Sequence, residues 1–572
     1  MPDKAMIDIS GLGFYYLDPE QPILKDIDLQ IQAGEFVIIV GASGCGKSTL
    51  CRTFNGVIPH LSKGCMTGSV SVAGLDTQQV GVSELAQRVG MVFQNPESNI
   101  FSLIVQDELA FGPENLGLPR HEIARRVRMA ADVIELWPLW AAKTQNLSGG
   151  QKQKVAIGSC LTMLPQILVL DQPTTDLDPI SKQTVIDTLR ILRGEYEMTN
   201  IVVEHDLDIL IDRADRLIAL DGGRIVADGP PRQVLTEHHD WLTSIGIRIP
   251  PYVEVGYHLA RAGCPVESYP LNFKEALELI EKYPTFLGGL IERLGAPPPP
   301  PTGGEPVVTV ENLSFGYLKK HPVLKGIDLE VKAGEFTAIV GANGSGKSTL
   351  IKCIVGLLKP TAGQIVVHGR NTRRMNLEEL TQRVGYVFQN PDTQLFENTV
   401  WDEVSFGLRV RHAPPEQIEA RTKEILERFN LLHLKERHPA TLSRGEKRRL
   451  AVATALVAPL DILLMDEPTT GQDYRTLHEL MEILAELNRD YGTTIIMVTH
   501  DMEVVWEYAS RTIGMSDGQI IFDGPTRNVL ARREMELVRQ ARLRVPLAAA
   551  LAEWEKEGAS FVRSLAQEDV GL

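Results

Sequence analysis

Short, continuously apolar runs divide the chain and predict strands that are buried on both faces. Each half holds three of these runs, at residues 36–40, 167–171 and 201–205 and again at 337–340, 462–466 and 495–500. Segments rich in Glu, Arg and Ala, roughly 107–163 and 402–457, separate the first run from the second in each half and predict helices. Buried strands that alternate with helices are typical of α/β domains with parallel sheets.

The same series of short motifs occurs twice in the same order. AGEF occupies residues 33–36 and 333–336, VFQNP occupies 92–96 and 387–391, and DGP occupies 228–230 and 523–525. Two copies of domain size predict two tandem domains rather than a solenoid. We therefore predict a first domain over 1–235, a helical appendix with a linker over 236–305, a second domain over 306–530 and a C-terminal helical appendix over 531–572.

The predicted linker contains five consecutive prolines at 297–301, followed by Thr-Gly-Gly. Such a segment is stiff at its start and flexible at its end. A ligand for an SH3-type domain is the alternative interpretation of the prolines. Apolar residues within 241–294 and after 541 predict that a small helical appendix ends each half.

Composition narrows the possible functions. The 572 residues are 43% hydrophobic and 23% charged, as in ordinary globular protein, and no apolar run has the length of a membrane span. The N-terminus has no long apolar core of a signal peptide, so we expect a cytoplasmic chain. The net charge of −16 argues against nucleic acid as a partner. Six scattered cysteines do not indicate a metal or disulfide framework.

Two glycine-rich loops carry the first recognisable chemistry. Both fit G-x-x-x-x-G-K-[ST], the loop whose backbone N–H groups surround a triphosphate while its lysine reaches the β- and γ-phosphates. The first loop consists of Gly41, Ala42, Ser43, Gly44, Cys45, Gly46, Lys47, Ser48 and Thr49. The second consists of Gly341, Ala342, Asn343, Gly344, Ser345, Gly346, Lys347, Ser348 and Thr349. The chain is therefore predicted to bind two nucleoside triphosphates.

A second motif, LSGGQKQ at residues 147–153, precedes the run that ends in an aspartate. Together with Gln94, Gln389, His205 and His500, it makes the chain resemble the ATPase subunits of ABC transporters over nearly its whole length, twice. The resemblance implies two tandem P-loop NTPase domains of the ABC type. Each would contain a RecA-like core, a helical subdomain and an antiparallel β subdomain, with small helical appendices.

The resemblance also implies cofactors and residue roles. ATP would be held by the two loops, and Mg²⁺ by Ser48 with Asp171 and Gln94 in one half and by Ser348 with Asp466 and Gln389 in the other. Glu467 would polarise the attacking water, with His500 near the γ-phosphate; Gln172 and His205 occupy the matching positions. Tyr16 and Tyr317 would stack on adenine, although a tyrosine there fits a core role equally.

The two halves differ at matching positions, and by the family's arrangement the differences meet at one nucleotide. Each ATP would lie between the phosphate loop of one half and the signature of the other, formed by Ser148, Gly149, Gly150 and Gln151 or by Ser443, Arg444, Gly445 and Glu446. Gln172, Arg444 and the segment 469–473 (TTGQD) would all face the pocket of Lys47. We predict a degenerate pocket there and a hydrolysing pocket at Lys347. Engineering of Gln172 is the alternative explanation.

The segments 93–119 and 388–408 indicate which ABC system is involved. FQNPESNIFSLIVQDELAFGPENLGLP resembles the ATPases of energy-coupling factor (ECF) importers, which take up vitamins and transition-metal ions in prokaryotes. The resemblance implies an integral membrane coupling subunit, a substrate-capture subunit and a peripheral position at the cytoplasmic face of the membrane. A tandem sugar-importer ATPase and a soluble F-subfamily translation factor are the alternatives. The transported substrate is not encoded in such a subunit.

Overall fold

The architecture is taken from a computed structural model. It describes residues 5–175, 177, 179–208, 210–301, 303–318, 321–530 and 535–557. Asp176 and Asp178 of the first half's TTDLD segment, and the end of the predicted C-terminal appendix, lie outside the described residues. The chain forms two compact units, Met1–Tyr283 and Pro284–Leu572, which we describe separately.

The first unit contains two sheets. Its strands are β1 (Ile7–Tyr15), β2 (Leu24–Ile31), β3 (Phe36–Gly41), β4 (Cys65–Val72), β5 (Leu75–Asp76), β6 (Val89–Val92), β7 (Ile167–Asp171), β8 (Thr199–Val203), β9 (Arg216–Asp221) and β10 (Arg224–Gly229). An antiparallel sheet has the order β2-β1-β4-β5, and a mainly parallel sheet has the order β10-β9-β3-β8-β7-β6. Every residue of β3, β7 and β8 is buried, as their continuous apolar runs predict.

Helices surround these sheets and extend to the end of the unit. They are α1 (Lys47–Phe54), α2 (Val57–His60), α3 (Val82–Leu85), α4 (Val105–Asn115), α5 (Arg120–Val133), α6 (Gly149–Leu161), α7 (Pro179–Tyr196), α8 (Pro231–Glu237), α9 (His239–Ser244), α10 (Pro251–Arg261) and α11 (Phe273–Lys282). Leu50 and Phe54 of α1 join one buried cluster with Ile7 of β1 and Ile39 of β3. This packing fixes the loop between β3 and α1 over the edge of the parallel sheet.

The second unit repeats this plan. Its strands are β11 (Pro306–Phe315), β12 (Leu324–Lys332), β13 (Phe336–Val340), β14 (Ala362–Val367), β15 (Arg370–Asn371), β16 (Val384–Val387), β17 (Ile462–Asp466), β18 (Thr494–Val498), β19 (Arg511–Ser516) and β20 (Gln519–Pro525). The sheets have the orders β12-β11-β14-β15 and β16-β17-β18-β13-β19-β20. The sheet orders match those of the first unit, so the prediction of two tandem α/β domains is confirmed.

The helices of the second unit begin before the proline run. They are α12 (Leu287–Leu294), α13 (Lys347–Ile354), α14 (Leu377–Thr381), α15 (Val400–Val410), α16 (Pro415–Arg428), α17 (Arg444–Leu456), α18 (Tyr474–Tyr491), α19 (Met502–Tyr508), α20 (Thr526–Val529), α21 (Met535–Gln540) and α22 (Leu547–Glu557). α12 packs against α22, and the indole N–H of Trp506 donates to the Gly295 carbonyl over 3.2 Å. Contacts, rather than position relative to the prolines, therefore place α12 in the second unit.

Candidate functional site

The first phosphate loop connects the carboxyl end of β3 to α1, and its backbone conformation requires glycine at three positions. Gly41, Gly44 and Gly46 have φ angles of 155°, 81° and 109°, which other L-residues rarely adopt. A Cβ on Gly41 would also lie 2.3 Å from the Leu220 carbonyl oxygen. The Lys47 ammonium group donates across the loop to the carbonyls of Gly41 (2.7 Å) and Ala42 (2.8 Å). The buried ammonium group of Lys47 thus closes the loop at the N-terminus of α1, a position that favours an anion.

The second loop has the same construction. Gly341, Gly344 and Gly346 have φ angles of 146°, 83° and 104°. The Lys347 ammonium group donates to the carbonyls of Gly341 (2.7 Å) and Ala342 (2.9 Å). Both loops thus place backbone and a buried lysine in the same arrangement at a helix N-terminus, where an anion is favoured.

Beside each loop, a serine and an aspartate supply oxygen atoms. The Ser348 hydroxyl donates to Asp466 Oδ1 over 2.8 Å. In the first unit, burial raises the pKa of the Asp171 carboxyl while its hydrogen bond with Ser48 lowers it, and Asp171 Oδ1 is buried with no hydrogen-bond partner among the described residues. Hydroxyl and carboxylate oxygens, one of them without a partner, fit a hard divalent cation such as Mg²⁺.

The residue after each aspartate has a strained backbone. Gln172 follows β7 with φ of 55°, and Glu467 follows β17 with φ of 50°. Non-glycine residues in this left-handed region cost free energy and concentrate at functional sites. In this conformation each side chain lies beside a histidine. Gln172 Nε2 is 3.0 Å from His205 Nε2, and Glu467 Oε2 is 2.9 Å from His500 Nδ1.

The two pairs differ in charge and in their further contacts. Burial raises the pKa of the Glu467 carboxyl, but His500 and Lys347 outweigh it, so this pKa lies below its ordinary value. Glu467 is therefore a carboxylate at neutral pH. Gln172, by contrast, is uncharged, and its amide oxygen accepts a hydrogen bond from Gln94 Nε2 over 2.6 Å. Gln94 is thereby held beside Gln172, whereas the Gln389 side chain is exposed.

Both signature segments begin a helix with the same cap. The Ser148 hydroxyl accepts from the Gln151 N–H, and the Ser443 hydroxyl accepts from the Glu446 N–H. The side chains of Gln151 and Glu446 bond back to the N–H of the capping serine, which completes a capping box in each unit. The change from Gln to Glu in the second signature therefore preserves the local structure.

Arg444 is paired with a second change in its own unit. A Cβ on Gly471 would lie 2.4 Å from Arg444 Cζ, so the guanidinium group lies directly over this glycine. Gly471 also has φ of 68°. At the matching positions the first unit has Gly149 and Asp176, a small residue on the helix and a larger one after the strand. The two departures of the second unit are thus complementary in volume.

The two tyrosines have different surroundings. Tyr16 is half-buried, packs its ring edge-on against Phe14 and shares a hydrogen bond of 3.2 Å with the Thr49 hydroxyl. Tyr317 packs similarly on Phe315, but 62% of its surface is exposed. The Tyr317 ring is thus largely exposed, whereas Tyr16 also contacts the core, and stacking on adenine stays a prediction for both.

One buried acid at the site was missed from sequence. Glu204, 2% exposed, precedes His205 and accepts from both the N–H (2.9 Å) and the hydroxyl (2.8 Å) of Thr174. Burial raises the pKa of this carboxyl to about 7. The second unit has Thr499 there, whose hydroxyl lies 3.0 Å from that of Thr469. In the sequence, this difference is visible as VEHD at residues 203–206 against VTHD at residues 498–501, and it could have identified the buried acid.

A parallel sheet with a glycine-rich phosphate loop, a strand-end aspartate and a capped signature helix, present twice, defines a tandem P-loop ATPase. The sequence profile of the ABC transporter family matches residues 24–175 and 324–470. The chain belongs to this family, and it is the ATP-binding and ATP-hydrolysing subunit of an ABC transporter. The ABC assignment made from the motifs is confirmed.

Individual relatives match along most of their length. The chain is 41% identical over 562 residues to a Methanosarcina mazei protein named as an ABC transporter ATP-binding protein, covering 97% of this chain and 94% of the relative. It is 36% identical over 551 residues to the Bacillus subtilis protein named for HMP/thiamine import, YkoD, covering 96% of each. Among solved structures it resembles CbiO1 of Clostridium perfringens, part of the complex cbiONQ, with 36% identity and a TM-score of 0.38 over 44% of this chain and 99% of that one. Among the described residues, no helix has the length and apolar character needed to cross a membrane.

Proposed function

We propose that this chain is the motor subunit of an ECF-type importer for a vitamin or metal ion, with one hydrolysing and one degenerate nucleotide pocket. The observation that carries the proposal is the contrast between the Glu467–His500 and Gln172–His205 pairs, which have similar geometry and different chemistry. The same fold therefore presents a proton acceptor in one unit and an amide in the other.

In the hydrolysing pocket, Lys347 and the loop N–H groups bind the phosphates of ATP. Ser348 and Asp466 would hold Mg²⁺, which would supply charge stabilisation at the phosphates. The Glu467 carboxylate accepts a proton from the water that attacks the γ-phosphorus, the bond from that phosphorus to the bridging oxygen breaks, and ADP leaves; His500 orients the carboxylate through Oε2. General-base assistance of this kind contributes about 10²–10⁴-fold to the rate.

In the degenerate pocket, Lys47, Ser48 and Asp171 keep the features that bind ATP and Mg²⁺. The Gln172 amide cannot take a proton from water, and it is already engaged by Gln94 and His205. We infer that this pocket retains its nucleotide while the other pocket turns over.

Exposed aromatic pairs support a membrane partner. Phe101 stacks on Phe111 in the first unit, and Phe396 lies edge-on to Phe406 in the second. Phe101 and Phe396 are 71% and 65% exposed. In the second unit, Phe396 and Phe406 line a cavity of about 310 Å³ together with Phe388, next to Gln389. Apolar grooves of this kind accept the apolar face of a partner helix.

The named function of YkoD, HMP/thiamine import, supports the importer assignment and the vitamin class of cargo. The test is affinity purification of the full chain from detergent-solubilised membranes of its own host, with mass spectrometry of bound proteins and small molecules. A polytopic membrane protein with a vitamin or metal cargo supports the proposal. Recovery of ribosomal RNA, or of a sugar-binding partner, contradicts it.

A matched pair of variants sharpens this test. Phe396→Ser removes an exposed aromatic residue from the groove and is expected to reduce recovery of the membrane partner. Leu17→Ser removes a residue that is even more exposed, at 83%, but lies elsewhere. If both variants reduce recovery equally, the groove is not the docking site.

A further inference from the structure

In the second unit, a buried arginine ties the glutamine loop to the signature helix. We define the second glutamine loop as residues 388–394 and the signature helix as α17. Arg448 on α17 is 1% exposed. Its guanidinium group donates to the carbonyls of Phe388 (2.8 Å) and Gln389 (2.6 Å). Bonds from a charged donor to buried acceptors are roughly twice as strong as neutral ones.

Two further contacts join the same elements. Gln394 accepts from the Phe388 N–H (3.1 Å) and donates to α17 at the Ala451 carbonyl (2.7 Å) and the Thr454 hydroxyl (2.9 Å). Lys447 pairs with Asp392 over 2.7 Å. Removal of one partner would leave a buried charge or a buried carbonyl unsatisfied, so these contacts hold the loop against the start of α17.

Among its described residues, the first unit has the ion pair but not the other links. Gln153 occupies the position of Arg448, is 3% exposed, and its Nε2 has no hydrogen-bond partner among the described residues. Asn99, at the position of Gln394, turns back to the Met91 carbonyl (3.3 Å) and the Phe93 N–H (3.4 Å). The ion pair between Lys152 and Glu97 is retained. The described residues of the first glutamine loop, residues 93–99, therefore have fewer side-chain hydrogen bonds to α6 than the second loop has to α17.

We propose that Arg448 is a positioning residue that makes the second glutamine loop and the second signature one mechanical element, whereas the matching parts of the first unit are less tightly coupled. This inference rests on the proposed function, in which ATP binds at Lys347 of the same unit. Through Arg448, nucleotide binding at Lys347 then changes the mobility of the signature, residues 443–446, together with that of the loop. In the first unit, with Gln153 in place of Arg448, the corresponding change is weaker.

The test is hydrogen–deuterium exchange on the full chain, with and without ATP and Mg²⁺, for wild type, Arg448→Gln and Gln153→Arg. In wild type, we expect ligand-induced protection to change together in residues 388–394 and 443–448. In Arg448→Gln, we expect about tenfold faster exchange of the loop and loss of the ligand response in residues 443–448 only. Gln153→Arg is the reciprocal change and is expected to slow exchange in residues 93–99.

A second, milder variant completes the test. Gln394→Asn copies the first unit, weakens the same connection and is expected to give a smaller effect in the same direction, so that the conclusion does not depend on the folding of Arg448→Gln.

Two results separate failure of this inference from failure of the proposed function. If Arg448→Gln and Gln394→Asn retain joint protection of residues 388–394 and 443–448, the coupling role of Arg448 is wrong, whatever the pockets do. If hydrolysis in wild type shows two equivalent pockets, the proposed function is wrong, although joint protection in wild type can still be observed.

Discussion

Replacement of Glu467 by glutamine is the most direct test of unequal pockets. The variant substitutes an amide for the carboxylate that accepts the proton from water. The first unit shows that this amide fits, because Gln172 adopts the same left-handed backbone, with φ of 55° against 50°, and reaches its histidine at 3.0 Å. The variant is therefore expected to fold and to bind ATP normally.

The expected magnitude follows from the lost proton acceptor. General-base assistance is worth about 10²–10⁴-fold, or about 3–5 kcal/mol of activation free energy. Because the other pocket already has an amide, it cannot compensate. Steady-state phosphate release at saturating ATP and Mg²⁺ should therefore fall at least about 100-fold in Glu467→Gln. Thermal unfolding with ATP present serves as the control for folding and nucleotide binding.

Gln172→Glu provides the matched control at the other pocket. By itself it should leave phosphate release near the wild-type rate, since Glu467 is intact. Combined with Glu467→Gln, it moves the single carboxylate to the first unit; activity should return only in part, because the degeneracy predicted for that pocket also includes Arg444. Phosphate release by Glu467→Gln within tenfold of wild type would refute the assignment, and full recovery in the double variant would show that Gln172 is the only defect.

Three further predictions concern binding and stability. Lys47→Ala and Lys347→Ala should each lower the stoichiometry of bound ATP by one equivalent in equilibrium dialysis; an unchanged value in either would argue against two binding loops. Glu204 has a folded-state pKa of about 7 against an ordinary 4.5, so its carboxyl binds more protons folded than unfolded, and wild-type stability should fall as pH rises through this window. Glu204→Gln should therefore be more stable than wild type by about 3 kcal/mol above pH 7 and lose that advantage towards pH 4.5, as measured by urea unfolding; a pH-independent difference would contradict the burial argument. Arg511→Ala should destabilise the second unit by about 3 kcal/mol in the same assay. The reason is that Glu335 and Asp523, at 2.9 and 2.6 Å from the guanidinium group, lose their partner. As a control, Arg449→Ala removes a more exposed ion pair with Glu479 and should cost less than about 1 kcal/mol.

The sequence alone determined the parts of the protein that depend on local rules. Continuous apolar runs predicted β3, β7 and β8 because strands buried on both faces need apolar side chains on both faces. The glycine-rich loops were recognisable because their backbone requires positive φ angles that only glycine readily adopts. The repeat predicted two domains, and the change from Glu467 to Gln172 at matching positions was visible without coordinates.

Only the tertiary structure decided which side chains meet across long separations in sequence. It placed the Arg444 guanidinium group over Gly471, buried Glu204 against Thr174, and tied Arg448 to the carbonyls of Phe388 and Gln389. It also assigned α12 to the second unit, because the contact with α22 outweighs its position before the prolines. Residue patterns report local periodicity and backbone requirements, whereas volume, burial and hydrogen-bond partners are set by chain segments that lie far apart in the sequence.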